Sequence, residues 1–444
     1  MNQSFQRQQL LRLCKQAEYI DYGMTVKQLS DNLDTAYDAI ASENFDFVIN
    51  QVSEYYLTHD LSNKLIIRKL NDNIKRIYKD EQANRRIIIA QVKTLLSETC
   101  PYWVIKTDIK RFYESIDRDR IISKFHDDSL LSYHSMHLLK KVFSNPTLAV
   151  TSGVPRGMNI SATLSEIYMR KFDKWIRRVE GVYYYARFVD DIIIFSNSLP
   201  NCISLIENLD SKLSDLAEGL RINNSKTELY DGKTLKEINI QNGKALIKSK
   251  RLEYLGYSFI KEKEQINVPT PITFKYVEKL KYTIENKYST FLPDKIPYLE
   301  FNTIQSSKEN TLKVTIADKK LKKIKTRIIK AFFDFAKNKD FILLEKRVKF
   351  LTGNYSIRKS EEGNDLRAGI YYNYLQVNDL RVFDELNSFF RKSLFSKKKS
   401  FGSKIALTPL QKRQLSKYCF VAGFKLKVYN QFTYKEMSQI INCW

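Results

Sequence analysis

Residues 183–196 read Tyr-Tyr-Tyr-Ala-Arg-Phe-Val-Asp-Asp-Ile-Ile-Ile-Phe-Ser, and this stretch decides the fold. Tyr183 to Val189 and Ile192 to Phe195 are rich in aromatic and β-branched residues, which favour strands. Asp190 and Asp191 between them favour a turn, so the stretch reads as a β-hairpin with two carboxylates at its tip. An Asp-Asp pair is also an ordinary turn sequence. What changes its meaning is the set of segments around it.

Upstream, Trp103 to Thr107 is an apolar, β-branched strand candidate that ends at Asp108, 82 residues before Asp190. A helix begins near residue 161, with Leu164, Ile167, Tyr168, Phe172, Trp175 and Ile176 on one face. Downstream, Leu209, Leu213, Leu216 and Leu220 mark another amphipathic helix, and Leu252 to Phe259 a further strand pair. Strand, helix, hairpin, helix, strand is the order of an α+β fold: an antiparallel sheet with helices on one face.

Toward the N-terminus, residues 1–60 read as helices with polar connections. Leu65 to Lys69 and Lys75 to Tyr78 are short enough for strands, while Arg85 to Leu96 is helical in pattern. After about residue 265 the chain reads mostly helical. Lys319 to Lys337 is the clearest case, with Leu321, Ile324, Ile328, Phe332 and Phe335 as its apolar stripe. No fixed-period repeat is evident. The expected units are 1–100, 101–262 and 263–444.

The chain has 444 residues, 74 Lys and Arg, 50 Asp and Glu, and a formal net charge of +24. Residues 261–444 hold 37 basic and 18 acidic side chains, or +19, so the first 260 residues carry only +5. A basic unit joined to a near-neutral one suits a polyanion grip beside another function. A solvated Lys-rich surface has the same composition. Five scattered cysteines without a C-x-x-C pair fit a reducing cytosol and give no zinc site. No N-terminal apolar run resembles a secretory signal, and no stretch approaches the ~18 apolar residues of a membrane span. A cytoplasmic protein without a membrane partner is expected.

Three carboxylates at strand ends, aimed at one point, repel one another unless a cation sits among them. Magnesium takes oxygen ligands and keeps water and phosphate oxygens in its shell. Two such ions clamp the attacking and leaving oxygens of an in-line phosphoryl transfer. Asp108, Asp190 and Asp191 are therefore candidate catalytic metal ligands.

Taken together, the motifs resemble those of reverse transcriptases. Tyr102 to Ile116, with Asp108-Ile-Lys-Arg-Phe-Tyr-Glu114 within it, is similar to the first palm motif. Gly153-Val-Pro-Arg-Gly-Met-Asn-Ile-Ser161 is similar to the second, and Arg187-Phe-Val-Asp-Asp191 to the Tyr-x-Asp-Asp box. Gly219 through Lys226 and Thr227 resembles the fourth, and Leu252-Glu-Tyr-Leu-Gly-Tyr257 the primer grip. The five cover roughly residues 60–260. The resemblance implies a right-hand polymerase: fingers, palm, and a basic helical thumb or C-terminal domain.

It further implies two Mg²⁺ ions, replaceable by Mn²⁺, held by Asp108, Asp190, Asp191 and the Ile109 backbone. Tyr113 would pack beneath the sugar and reject a 2′-hydroxyl, with Phe112 beside it. Lys226 would act on the leaving pyrophosphate as general acid or counter-charge. Gly157 would allow close approach to a base pair. Arg156 stands where the family has Gln, and a phosphate contact is its alternative role. Arg76, Arg85 and Arg86 lie where the fingers cover a triphosphate. Lys320, Lys323 and Arg327, with Tyr254 and Gly256 of the grip, would hold nucleic acid, and Lys397 to Lys399 is either a further contact or a bare loop.

The nearest resemblance is to bacterial defence-associated reverse transcriptases of the abortive-infection and retron-like kind. It implies RNA-directed DNA synthesis from dNTPs, an antiphage role and a dedicated non-coding RNA template. It also implies a DNA product and a second polymerase or another copy as partner. Untemplated or protein-primed synthesis by the same site is one alternative. An RNA-binding scaffold without chemistry is another, of a different class.

Overall fold

In the computed structural model the described residues are 2–79, 83–149, 151–241, 244–248, 251–271, 302–359, 365–395 and 407–441. The chain opens with helices α1 (Arg7–Leu11), α2 (Gln16–Asp21) and α3 (Val26–Ala41). It then becomes extended, against the expectation of helices up to residue 60. Phe45, Phe47 and Ile49 are buried while Asp46 and Val48 are exposed, the period-two alternation of a strand-like segment. This leads into a hairpin, β1 (Asn50–Val52) and β2 (Tyr55–Leu57).

Helix α4 (Leu61–Tyr78) overturns the reading of two short strands there. Asp60 caps it by accepting a hydrogen bond from the Asn63 amide. Leu61, Leu65, Ile66, Leu70 and Ile74 are all fully buried. They share one helical phase, and the polar residues 71–73 between the two apolar runs belong to the same turns. Helix α5 (Arg85–Leu96) follows as expected, capped by Asn84.

The centre is a six-stranded antiparallel sheet with strand order β4-β5-β3-β6-β7-β8. Its strands are β3 (Trp103–Asp108), β4 (Val182–Phe188), β5 (Asp191–Ser196), β6 (Glu228–Asp231), β7 (Lys236–Gln241) and β8 (Lys244–Lys248). Between β3 and β4 run α6 (Arg118–Asp128), α7 (Tyr133–Phe143), α8 (Pro146–Ala149) and α9 (Asn159–Ile176). Helix α10 (Leu199–Ser214) follows β5 and stops before Leu216 and Leu220, which lie in the loop beyond it.

Both faces of this sheet are covered, not one. Ile105, Ile192 and Ile194 pack with α4, α9 and α10 in one core. Val104, Ile193 and Phe195 pack with Ile89 and Val92 of α5 and with the C-terminal part in a second core. Ile192 to Phe195 is therefore apolar without alternation, the pattern of a strand buried on both sides.

Beyond the sheet, β9 (Leu252–Tyr254), β10 (Tyr257–Pro271) and β11 (Asn302–Ile316) form a separate antiparallel sheet. A second hairpin pairs β12 (Asn354–Lys359) with β13 (Asp365–Gly369). The mostly helical expectation after residue 265 thus misses two strand pairs. It holds for the helix Asp318–Asn338, where Leu321, Ile328, Phe332 and Phe335 are buried and Ile324 partly so. Helices Phe341–Thr352 and Arg381–Phe395 pack into the same core. Among the described residues no helix is long and apolar enough to cross a membrane. Lys397 to Lys399 lie outside the described residues.

Candidate active site

Strand register assembles the carboxylates. Asp108, the last residue of β3, faces Asp191, the first of β5. The Ile109 amide donates to the Asp190 carbonyl at 3.1 Å, and the Asn223 amide donates to the Asp108 carbonyl at 2.8 Å. Ile109 also bridges Ile222, which brings the Lys226 segment alongside. Lys226 Nζ lies 2.6 Å from Asp108 Oδ2. Asp108 is 7% exposed, and its Oδ1 is buried without a hydrogen-bond partner.

Burial pushes the Asp191 carboxyl up to about 6, and the charges of Asp190 and Asp108 add to it. Burial, then the Asp108 charge, pushes Asp190 up as well. Lys226 is raised, chiefly by its hydrogen bond to Asp108. Like charges held out of water in this way are relieved by a cation. Among the described residues no three His, Cys, Asp or Glu side chains close into a metal cage. The buried, unpartnered Asp108 Oδ1 is the atom that fits an added ion. Hard oxygen donors of this kind suit magnesium.

The hairpin tip is held from beneath by a residue that the sequence reading passed over. Arg187 is buried and donates to the Val189 carbonyl at 2.9 Å. It also reaches Glu166 at 2.7 Å and Asp173 at 2.8 Å, both on α9. Tyr185 donates to the same Asp173 at 2.6 Å. The available signal was a lone Arg in an apolar strand, with Glu166 and Asp173 two helical turns apart on one face.

Asp190 opens onto a cavity of about 610 Å³ whose walls include Tyr113, Arg156, Gly157, Asn71, Lys75 and Tyr55. Phe112 lines it too but is almost wholly buried. Burial and the nearby Asp190 raise the Tyr113 phenol. The loop carrying Arg156 is fitted closely to the Tyr113 segment. Val154 donates its amide to the Tyr113 carbonyl at 2.8 Å. Gly153 has φ +75°, and a Cβ there would lie 2.2 Å from that same carbonyl oxygen. Arg156 forms an ion pair with Glu114 at 2.5 Å and approaches Glu54 at 3.7 Å.

The three finger arginines are not among the residues lining this cavity. Arg76 pairs with Asp72 at 3.0 Å. Arg85 donates to the Leu255 carbonyl at 2.9 Å and lies over the Tyr257 ring. Arg86 donates to the Arg367 carbonyl at 3.1 Å. The cation of α4 that does line the cavity is Lys75, one position before Arg76.

Tyr254 is buried, with its hydroxyl 3.3 Å from the Asp191 carbonyl, so it braces the hairpin from within. Gly256 has φ +84°, and a Cβ there would lie 3.1 Å from the Arg85 guanidinium and 3.2 Å from Lys320. Burial, then the charges of Arg85 and Lys323, lowers the Lys320 ammonium pKa, with Arg327 contributing. Lys320, Lys323 and Arg327 therefore share one basic neighbourhood beside the β9–β10 turn.

Residues 60–259 match the family model described as reverse transcriptase (RNA-dependent DNA polymerase). This segment is similar to reverse transcriptase domains, the class of RNA-directed DNA polymerases, which are nucleotidyltransferases. No curated protein matches the chain. A solved structure of apo telomerase from Candida tropicalis, truncated from its C-terminal domain, is similar at 15% identity and a TM-score of 0.30. The likeness covers 44% of this chain and 43% of that one, so the chain spans less than half the length of that structure.

Proposed function

We propose that this chain copies RNA into DNA at the β3–β5 carboxylates. The observation that carries this reading is the register that sets Asp108 opposite Asp191, with Asp190 in the wall of a cavity shared with Tyr113. Asp108, Asp190 and Asp191, with the Ile109 carbonyl, would hold two magnesium ions; manganese suits the same oxygen donors. The chemistry supplied by such ions when bound would be activation of a primer 3′-hydroxyl and counter-charge for the triphosphate and pyrophosphate.

The chain's own side chains then position the reactants. Tyr113, in the wall of the same cavity, would reject a ribonucleotide by bulk beneath the sugar. Arg156, fixed by Glu114, and Lys75 on the facing helix supply positive charge to nucleotide phosphates. Lys226, paired with Asp108, would act on the departing pyrophosphate as general acid or counter-charge. The cluster of Lys320, Lys323 and Arg327 follows the backbone of the bound duplex, so binding weakens steeply with salt.

The biological setting we favour is antiphage defence in the bacterial cytoplasm. It includes a dedicated non-coding RNA template and a second polymerase or another copy as partner. The support is the motif set, Arg156 in the second motif and the +19 charge of residues 261–444. Priming from a protein hydroxyl, or untemplated synthesis, would use the same site.

The test is an Asp190→Ala, Asp191→Ala variant assayed for dNTP incorporation and for RNA binding. Lost incorporation with retained binding is expected, and unchanged incorporation rejects the reading. Sequencing the RNA and DNA that copurify with the unaltered chain identifies template and product.

A further inference from the structure

Tyr55 enters the same cavity from the β1–β2 hairpin, a part of the chain that lies before all the polymerase motifs. Its neighbour Tyr56 is buried, whereas Tyr55 is 54% exposed. An aromatic ring left half in water at the mouth of a charged cavity gives up the burial that such a ring normally gains.

The hairpin is fastened there. The Tyr56 amide donates to the Arg156 carbonyl at 2.7 Å, so the backbones of hairpin and loop are joined. Gly157 has φ +93°, and a Cβ on it would lie 3.1 Å from the Tyr55 Cβ. The absence of a side chain at 157 thus lets the tyrosine lie against the loop. Glu54, at the hairpin turn, faces Arg156 at 3.7 Å.

The wall therefore combines a pinned, exposed ring with two cations, Arg156 and Lys75, and with Asp190 and the Tyr113 ring. Rings and cations in one groove are the chemistry that binds unpaired nucleic acid. The ring stacks on the base, and the cations meet the phosphate. Every base offers a π face, so such a contact is indifferent to sequence.

We propose that Tyr55 is a stacking platform for an unpaired nucleobase at the point where the new base pair forms. The base comes either from the template strand or from the incoming nucleotide. The assignment of the cavity to a nascent pair rests on the polymerase reading above. The stacking contact itself does not require turnover.

The experiment therefore uses the full chain carrying Asp190→Asn, so that bound substrates persist. A fluorescent adenine analogue, quenched when stacked, is placed in one arm at the templating position of an RNA template paired to a primer. In the other arm it is supplied as the incoming deoxynucleoside triphosphate. Quenching is compared among Tyr55, Tyr55→Phe, Tyr55→Leu and Tyr55→Ala.

Quenching retained by Phe and lost by Leu and Ala in either arm supports the platform, and the arm that responds names the base. Affinity for that substrate should fall roughly five- to a hundredfold in the Ala and Leu variants. Equal quenching and affinity in all four chains overturns the proposal. So does loss of both on Tyr55→Phe, which would assign the effect to the hydroxyl. Primer extension by the unaltered chain is scored separately, so a failed polymerase reading is told apart from a failed platform.

Discussion

The guanidinium of Arg187 donates to the carbonyl of Val189 across 2.9 Å, and Val189 has a φ of +61°. A β-branched residue is a steric outlier in that region, so the tip of the Asp190–Asp191 hairpin is held in a conformation its sequence disfavours. Glu166 and Asp173 on α9 hold the arginine, and through it the helix supports the turn.

Replacing Arg187 by Met removes that support and leaves two acidic side chains without their buried partner. Breaking one side of a buried ion network costs about 3–5 kcal/mol. Chemical denaturation of Arg187→Met should show a loss of that size. Adding Glu166→Gln and Asp173→Asn should recover part of it. If the single variant unfolds at the same denaturant concentration as the parent, the network does not carry the turn.

Gly153→Ala should be more harmful than its size suggests. The added methyl would lie 2.2 Å from the Tyr113 carbonyl oxygen, and the backbone is at φ +75°. Strain alone accounts for about 1 kcal/mol, and the clash adds to it by displacing the Tyr113 segment. Urea denaturation should report the lost stability. A raised KM for dNTP with intact folding would report the displaced ring.

On the proposed function, Tyr113→Ala opens space where a sugar hydroxyl would be refused. Discrimination between dNTP and NTP, as a ratio of kcat/KM, should drop roughly ten- to a hundredfold. An unchanged ratio would remove Tyr113 from the gate and return it to the role of a packing residue.

The N-terminal helices should respond to acid through Glu18. Its burial opposes ionisation, but hydrogen bonds from Arg68 and Lys64 and the Lys15 amide outweigh this and hold it at about 2, against an ordinary 4.5. Arg68 lies 2.7 Å away and Lys64 3.0 Å. The folded value lies below the unfolded one, so this stabilisation is fully present above about pH 4.5 and is lost as pH falls toward 2. It amounts to about 3 kcal/mol. Between pH 6 and pH 3, Glu18→Gln should show a shallower fall in unfolding free energy than the parent chain; parallel curves would contradict the assignment.

The centre of the fold was legible because its signals are local and mutually consistent. Two apolar runs around Asp190–Asp191 form a hairpin, and the strand ending at Asp108 joins it in register. The four apolar residues 192–195 in succession also carried the information that both sheet faces are buried, which the one-face reading missed. Helix α4 was hidden because its polar residues 71–73 interrupt two apolar runs that share a phase only at a period of 3.6.

Lys75, which lines the cavity where Arg76 does not, was hidden for a related reason. Adjacent residues on a helix point about 100° apart, and nothing in the sequence says which turns inward until a partner is fixed. Arg187 escaped notice because its importance lies in Glu166 and Asp173, which precede it in the chain and meet it only in three dimensions.

The double burial of the central sheet sets a limit on dissection. The side of β3 and β5 that carries Val104, Ile193 and Phe195 belongs to the same core as Val314, Phe332 and Phe390. A fragment cut after residue 259, where the family match stops, would keep α5 on that face but lose the part of the core contributed by residues after 259. The border of sequence kinship runs through the middle of a shared core. The matched segment therefore completes its second core with side chains from beyond residue 259.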